Sequence, residues 1–183
     1  MKQLFFTSIL IFSLFISCKK GKNNPESCNG SSTRRDIKIL IDEQTKNIDT
    51  TPVIISVKDI GELDVIEAKK DTERQPAEKK VYAITAKVDK VSKHRDGDWK
   101  VKLTDGDKYI NCEFPNMGCE YIKGSSFYNQ MNESRCWIEQ NEEDLVGKTV
   151  TIVGVGFIDI DHKFPRKNAD NEMEIHPVLN IHF

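Results

Sequence analysis

The sequence predicts a mainly β domain, a five-stranded barrel with a helical insert between its third and fourth strands. Three observations carry that expectation. Apolar residues alternate with polar ones in short segments from Val81 onward, the two-residue period of half-buried strands. Asp96-Gly97 and Asp105-Gly106 punctuate the first of these segments with residues suited to tight turns. A stretch of different character, residues 116–143, then interrupts the alternation.

The elements follow in order. Tyr82, Ile84, Ala86 and Val88 mark the first barrel strand, and Trp99, Val101 and Leu103 the second. Tyr109 to Phe114 gives the third, stopped by Pro115. Ser125 or Ser126 is placed to cap a helix with Phe127, Met131, Ser134 and Ile138 on one side. Thr149 to Ile158 forms the fourth strand. Ile175 to Phe183 forms the fifth, with Ile175, Pro177, Leu179, Ile181 and Phe183 on one face. Three strands, a helix, then two strands is the order of an OB-fold. A β-sandwich leaves the single helical stretch unexplained. Gly154 and Gly156 fit sharp barrel curvature.

Ahead of the barrel the pattern is weaker. Ile37, Ile39 and Ile41 alternate and predict a strand. Ser56 followed by Asp59 predicts a capped helix from Val57 to Leu63. Residues 67–80 are densely charged and read as a solvated loop. The chain is 38% hydrophobic and 31% charged, with net charge −2. That permits one packed domain and excludes a polytopic membrane protein or a generic polyanion coat.

The first residues have a separate purpose. Lys2 precedes an apolar run from Leu4 to Ile16, too short to span a bilayer, which takes about 20 residues. Residues 1–17 therefore read as a signal peptide. The run ends Leu14-Phe15-Ile16-Ser17-Cys18, which resembles the lipobox of bacterial lipoproteins. That resemblance implies lipidation of Cys18 and anchoring by acyl chains. Lys19 after the Cys implies the outer membrane. Residues 18–35 hold the lipidated Cys and a flexible tether, because 19–35 contain no Val, Ile, Leu or aromatic residue. The single domain is expected over 36–183, sharpest over 81–183.

An envelope location favours disulfides. Cys28, Cys112, Cys119 and Cys136 remain, and they allow three pairings. Cys112 shares a face with Ile110 and Phe114 and reads as a small core residue. Cys119 and Cys136 flank the expected helix and are the preferred pair, which leaves Cys28 free in the tether. No Cys-x-x-Cys spacing supports a cysteine-bound zinc.

The tail Val153-Gly154-Val155-Gly156-Phe157, then Asp159, His162 and Glu174-Ile175-His176-Pro177-Val178-Leu179-Asn180-Ile181, is similar to a family of small secreted or lipid-anchored bacterial proteins. Its members carry a GVGFFD…H…ELHPVLDI ending. Lys100 stands where that family has His, and Asn180 where it often has Asp. The resemblance covers roughly residues 80–183 and implies one compact domain without supplying a reaction. A weaker resemblance is to staphylococcal-nuclease-like barrels, through Asp96-Gly97-Asp98, Glu113-Phe114-Pro115 and Gly147-Lys148-Thr149-Val150. It implies a carboxylate-bound metal and phosphate-binding arginines, for which only Arg135 is suitably placed.

The chemistry-bearing residues concentrate late in the chain. Asp159, Asp161, His162, Glu174 and His176 offer mixed imidazole and carboxylate donors, a set that suits a divalent transition metal. Asp96, Asp98, Asp105 and Asp107 are oxygen donors of the calcium type, although Asp-Gly pairs are ordinary turn residues. No Gly-x-Ser-x-Gly setting provides a nucleophile. Trp99, Tyr109 and Phe114 lie on the strands that OB-folds use for ligands. Mixed charges there do not make the basic stripe that nucleic acid requires, which disfavours nucleic acid as a partner. The expected function is a non-enzymatic, lipid-anchored envelope module binding a glycan, peptide or envelope protein, with no resident cofactor. The expected site residues are Glu113, Arg135, Asp159, His162, Glu174 and His176. The alternative is a divalent-metal-dependent, nuclease-like hydrolase.

Overall fold

The computed structural model describes residues 28, 33–160 and 169–183. Residues 1–17, Cys18, most of the tether, Asp161 and His162 lie outside them. Among the described residues, no helix is long and apolar enough to cross a membrane.

Alternation becomes strand where the sequence pattern is strongest. Among the described residues six strands form: β1 (Asp49–Ile54), β2 (Lys80–Lys93), β3 (Trp99–Asp105), β4 (Lys108–Phe114), β5 (Thr149–Ile158) and β6 (Met173–His182). Three α-helices accompany them: α1 (Thr33–Lys38), α2 (Val57–Gly61) and α3 (Tyr128–Asn141). The sheet order is β1-β2-β3-β4-β6-β5, and β5 pairs back onto β2. Strands β2 to β6 thus close a five-stranded barrel, with β1 added in parallel on β2. β4 meets β6 in parallel at Cys112 and Ile175, and the other barrel pairs are antiparallel. α3 lies between the third and fourth barrel strands. This is an OB-like barrel, as the strand order predicted.

The core fills the barrel from every strand. Ile84, Val88, Val101, Leu103, Ile110, Cys112, Phe114, Ile152, Ile175 and Val178 are all fully buried. Each large apolar side chain among them contributes about 1.5–3 kcal/mol by leaving water. α3 closes one end, with Met131, Ser134 and Ile138 buried and Ser134 donating to Val178 O at 2.9 Å. Ser56 caps α2 by accepting from Asp59 N–H at 3.0 Å, as its spacing predicted.

Five expectations need correction. Ile37, Ile39 and Ile41 do not form a strand. Thr33–Lys38 is α1, which buries Ile37, and the turn after it buries Ile39 and Leu40, with Leu40 in the left-handed region at φ 58°. The helix also begins inside the expected tether, and Arg34 is buried. The charged run 67–80 is not all solvated: Arg74, Gln75 and Glu78 are buried. Glu78 accepts from Arg34, from Gln75 N–H at 2.8 Å and from Ile158 N–H at 2.9 Å, so its charge is paired rather than exposed.

In β6 the apolar face is not the expected one. Ile175, Val178 and Ile181 enter the core, because two residues of β5, from Gly154 to Gly156, span three of β6, from Val178 to Ile175. That bulge and a second, where Val153 and Gly154 face Asn180 and Val178, each shift the alternation by one. Gly154 permits the crossing, since a Cβ there would lie 2.5 Å from both Ile175 Cγ2 and Pro177 O.

Finally, Cys119 pairs with Cys28, not with Cys136. The Cys28 and Cys119 Cα atoms lie 5.5 Å apart, at bonding range. Cys136 lies in α3 and is not the partner of Cys119. Cys112 is buried and unbridged, as its phase in β4 implied.

Candidate functional site

The site lies on the outer face of β3, β4 and β6, under α1. Alternation puts it there. Ile110, Cys112 and Phe114 of β4 point into the barrel, so Glu113 points out. Ile175 points in, so Glu174 and His176 point out. Lys100 on β3 is the cross-strand neighbour of Glu113. Arg34 and Lys38 are one turn apart on α1, and both approach the Phe157 ring, at 4.4 and 5.7 Å from its centre. α1 thereby buries a surface that an OB barrel otherwise exposes.

Glu113 is the hub. Its Oε2 lies 3.0 Å from Lys38 Nζ and 3.1 Å from His176 Nδ1, and its Oε1 lies 2.5 Å from Lys100 Nζ. Burial opposes its charge, but Lys38, the His176 hydrogen bond and Lys100 together hold its carboxyl well below the usual range. Glu174 has the opposite balance. Burial, followed by the nearby Glu113 charge, raises its pKa against the pull of Lys38 and His176. Its Oε1 is 3.5 Å from both Lys38 Nζ and His176 Nδ1.

Burial works against the Lys38 ammonium, yet Glu174, Glu113, Asp98 and Asp159 raise its pKa well above the usual value. For His176, burial and Lys38 disfavour the proton, while Glu113 and Glu174 favour it and prevail, so its pKa rises. Asp98 enters from the turn before β3. Its Oδ1 accepts from Asn116 N–H at 2.6 Å, and its Oδ2 stands 4.0 Å from His176 Nε2. Burial is the main cause of its raised pKa.

Beside these groups opens a pocket of about 340 Å³. Arg34, Arg35 and Lys38 of α1 line one side, and Asp96, Asp98 and Asn116 another. Tyr121, Phe157, Asp159 and His176 complete it. Cys119 also lines it, so the Cys28–Cys119 bond ties the segment entering α1 to the pocket wall.

Of the residues expected from sequence, Glu113, Glu174 and His176 come together, and Asp159 joins the same pocket. Arg135 does not. Its guanidinium donates to Phe114 O at 3.0 Å and Pro115 O at 3.2 Å, and to Glu139 at 2.8 Å, which anchors the end of β4 to α3. His162 lies outside the described residues. Sequence reasoning missed Lys38, hidden in a segment read as strand, and did not give Lys100 a role. No local spacing marked α1, and the Lys100–Glu113 pairing required the strand register.

No protein-family model matches the chain, and no curated protein matches it. Among solved structures it is similar to Entamoeba histolytica asparaginyl-tRNA synthetase in complex with asparaginyl-adenylate. The identity is 17% and the TM-score 0.42, over 72% of this chain and 23% of that one. Another structure of the same synthetase gives 17% identity and a TM-score of 0.41 over the same shares. The chain spans less than a quarter of the synthetase's length. The OB-like assignment rests on the order and closure of the strands.

Proposed function

We propose that this chain is a lipid-anchored binding module of the bacterial cell envelope, held through Cys18, that takes a small polar ligand in the pocket beneath α1. One observation carries the reading. The pocket lies against the strand face and the loops, between β2 and β3 and between β5 and β6, where OB barrels hold oligomeric ligands. Its walls offer both charge signs and the Tyr121 and Phe157 rings, which suits a glycan or a peptide.

Glu113 is neutralised by two lysines, so it is poorly placed to act as a general base. The nuclease-like alternative also loses its arginine, because Arg135 is spent on the carbonyls of Phe114 and Pro115.

The test is a thermal-shift screen of the mature full chain in detergent against envelope glycan fragments and short peptides. A ligand at 100 times its Kd stabilises by about 2.7 kcal/mol, a shift readily seen. Asp159→Asn is expected to weaken that ligand. A panel in which nothing shifts the melting temperature would retire the reading. Intact mass and peptide mapping test the anchor separately. An acylated Cys18 supports it, and an unmodified or disulfide-bonded Cys18 overturns it.

A further inference from the structure

The imidazole of His176 poses a problem that nothing around it solves. Its Nδ1 lies 3.1 Å from Glu113 Oε2 and therefore carries the hydrogen that it donates there. In the neutral ring, Nε2 is then a bare lone pair. That atom is buried and has no hydrogen-bond partner among the described residues. Facing it is another acceptor, Asp98 Oδ2 at 4.0 Å. A hydrogen bond needs about 2.7–3.2 Å, so even a protonated ring does not bond Asp98 across this gap. Two acceptors facing each other call for a cation between them.

The distance is suitable. Metal bonds to imidazole nitrogen or carboxylate oxygen are about 2.0–2.2 Å long, so one ion reaches both atoms with a slight inward move of Asp98. Ligand atoms of Asp98, Glu113 and His176 lie within 4.8 Å of one another. Charge is suitable too. Two lysines, Lys38 and Lys100, face four carboxylates, Asp98, Glu113, Asp159 and Glu174. Arg34, which also lines the pocket, is already paired with Glu78.

Lys38 contacts the same Glu113 Oε2 and Glu174 Oε1 that face Nδ1, and Lys100 holds the other Glu113 oxygen. Glu113 thus resembles the carboxylate that holds the distal nitrogen of a metal-bound histidine and fixes its tautomer.

Resting on the reading of this pocket as a binding site, we infer that His176 Nε2 and Asp98 bind a divalent transition metal of the zinc class, with Glu113 orienting the ring. The donor pair excludes Ca²⁺ and Mg²⁺ as preferred ions, since both favour all-oxygen sets. Asp96 and Asp159, which line the same pocket, supply nearby oxygens, and the remaining coordination positions face the cavity, where a ligand carboxylate or hydroxyl would meet the ion.

Calorimetry on the chelator-stripped full chain tests this with Zn²⁺, using Ca²⁺ as the hard-cation control. One Zn²⁺ per chain is expected, bound at least tenfold more tightly than Ca²⁺. His176→Gln and Asp98→Asn are expected to weaken Zn²⁺ by 100-fold or more, and Glu113→Gln by about 10–100-fold. The unaltered chain with ¹⁵N-labelled histidine guards against misfolded variants. One equivalent of Zn²⁺ should move the Nε2 resonance of His176 and leave the exposed His94 and His182 in place.

Absence of stoichiometric Zn²⁺ binding, shifts only at His94 or His182, or equal affinity in a folded His176→Gln chain would each overturn the inference. The ligand screen fails or succeeds independently. Zn²⁺ bound at His176 with no envelope compound retained keeps the metal and discards the ligand reading, and a compound bound equally well with chelator present does the reverse.

Discussion

The two faces of β4 and β6 are buried to the same degree by opposite means. Inward, Ile110, Cys112, Phe114, Ile175 and Val178 form a dry apolar core. Outward, Glu113, Glu174 and His176 are 3%, 0% and 1% exposed, yet they are surrounded by Lys38, Lys100 and Asp98. The interior is sealed by the barrel itself. The outer face is sealed by α1, a six-residue helix from outside the barrel. Apolar burial needs only volume and shape, whereas ionic burial needs each charge answered at a specific atom. The first face therefore specifies the fold, and the second a recognition surface.

Substitutions on each face sharpen the contrast. Phe114→Ala, in the interior, is expected to cost about 3–5 kcal/mol, because a fully buried ring leaves a cavity that the closed barrel cannot collapse. Urea unfolding checks this, and a loss below 1 kcal/mol would mean the barrel is looser than its packing implies. Lys38→Met, on the outer face, removes a cation from two buried carboxylates. Breaking a fully buried pair costs about 3–5 kcal/mol. Lys38 is a quarter exposed, so a loss of about 2 kcal/mol is expected. An unchanged midpoint would show that the outer cluster contributes nothing to folding.

The smallest effect belongs to the strap behind α1. Arg74 bridges Ile37 O at 3.0 Å and Asp42 Oδ1 at 2.5 Å. Burial opposes the Asp42 charge, but Arg74, Thr45 and the Gln44 N–H prevail and lower its pKa from 3.8. A depressed carboxyl stabilises above its unfolded value, and that contribution disappears as pH falls through the folded one. Asp42→Asn is thus expected to cost about 1 kcal/mol at pH 7 and progressively less below pH 3.8. Unfolding curves at both ends of that range decide it, and a deficit that grows toward acid would contradict the assignment.

Much of the fold was legible because strand alternation is local. β2, β3, β4 and β5 lie where Tyr82–Val88, Trp99–Leu103, Tyr109–Phe114 and Thr149–Ile158 placed them. Errors fell where a second influence acted on the same residues. Ile37, Ile39 and Ile41 alternate, but residues 33–38 fold as a helix that buries Ile37, and the turn after it buries Ile39 and Leu40. Alternation in β6 was read straight through Pro177, where the bulge opposite Gly154–Gly156 breaks it. The candidate site was half legible for the same reason. Glu113, Glu174 and His176 stand beside apolar positions that fix their outward direction, but Lys38 and Asp98 come from a helix and a turn with no periodicity to align them.

The sequence by itself determined the strand order, the helical insert and the turn positions, because each depends on residues within one segment. Only the tertiary structure decided that Cys28 reaches Cys119, that Arg34 answers Glu78, and that Lys38 meets Glu113 on the outer face of the barrel. Such pairings depend on loop closure over 91, 44 and 75 residues, and no local pattern encodes which distant charge or thiol a residue will face once the barrel has closed.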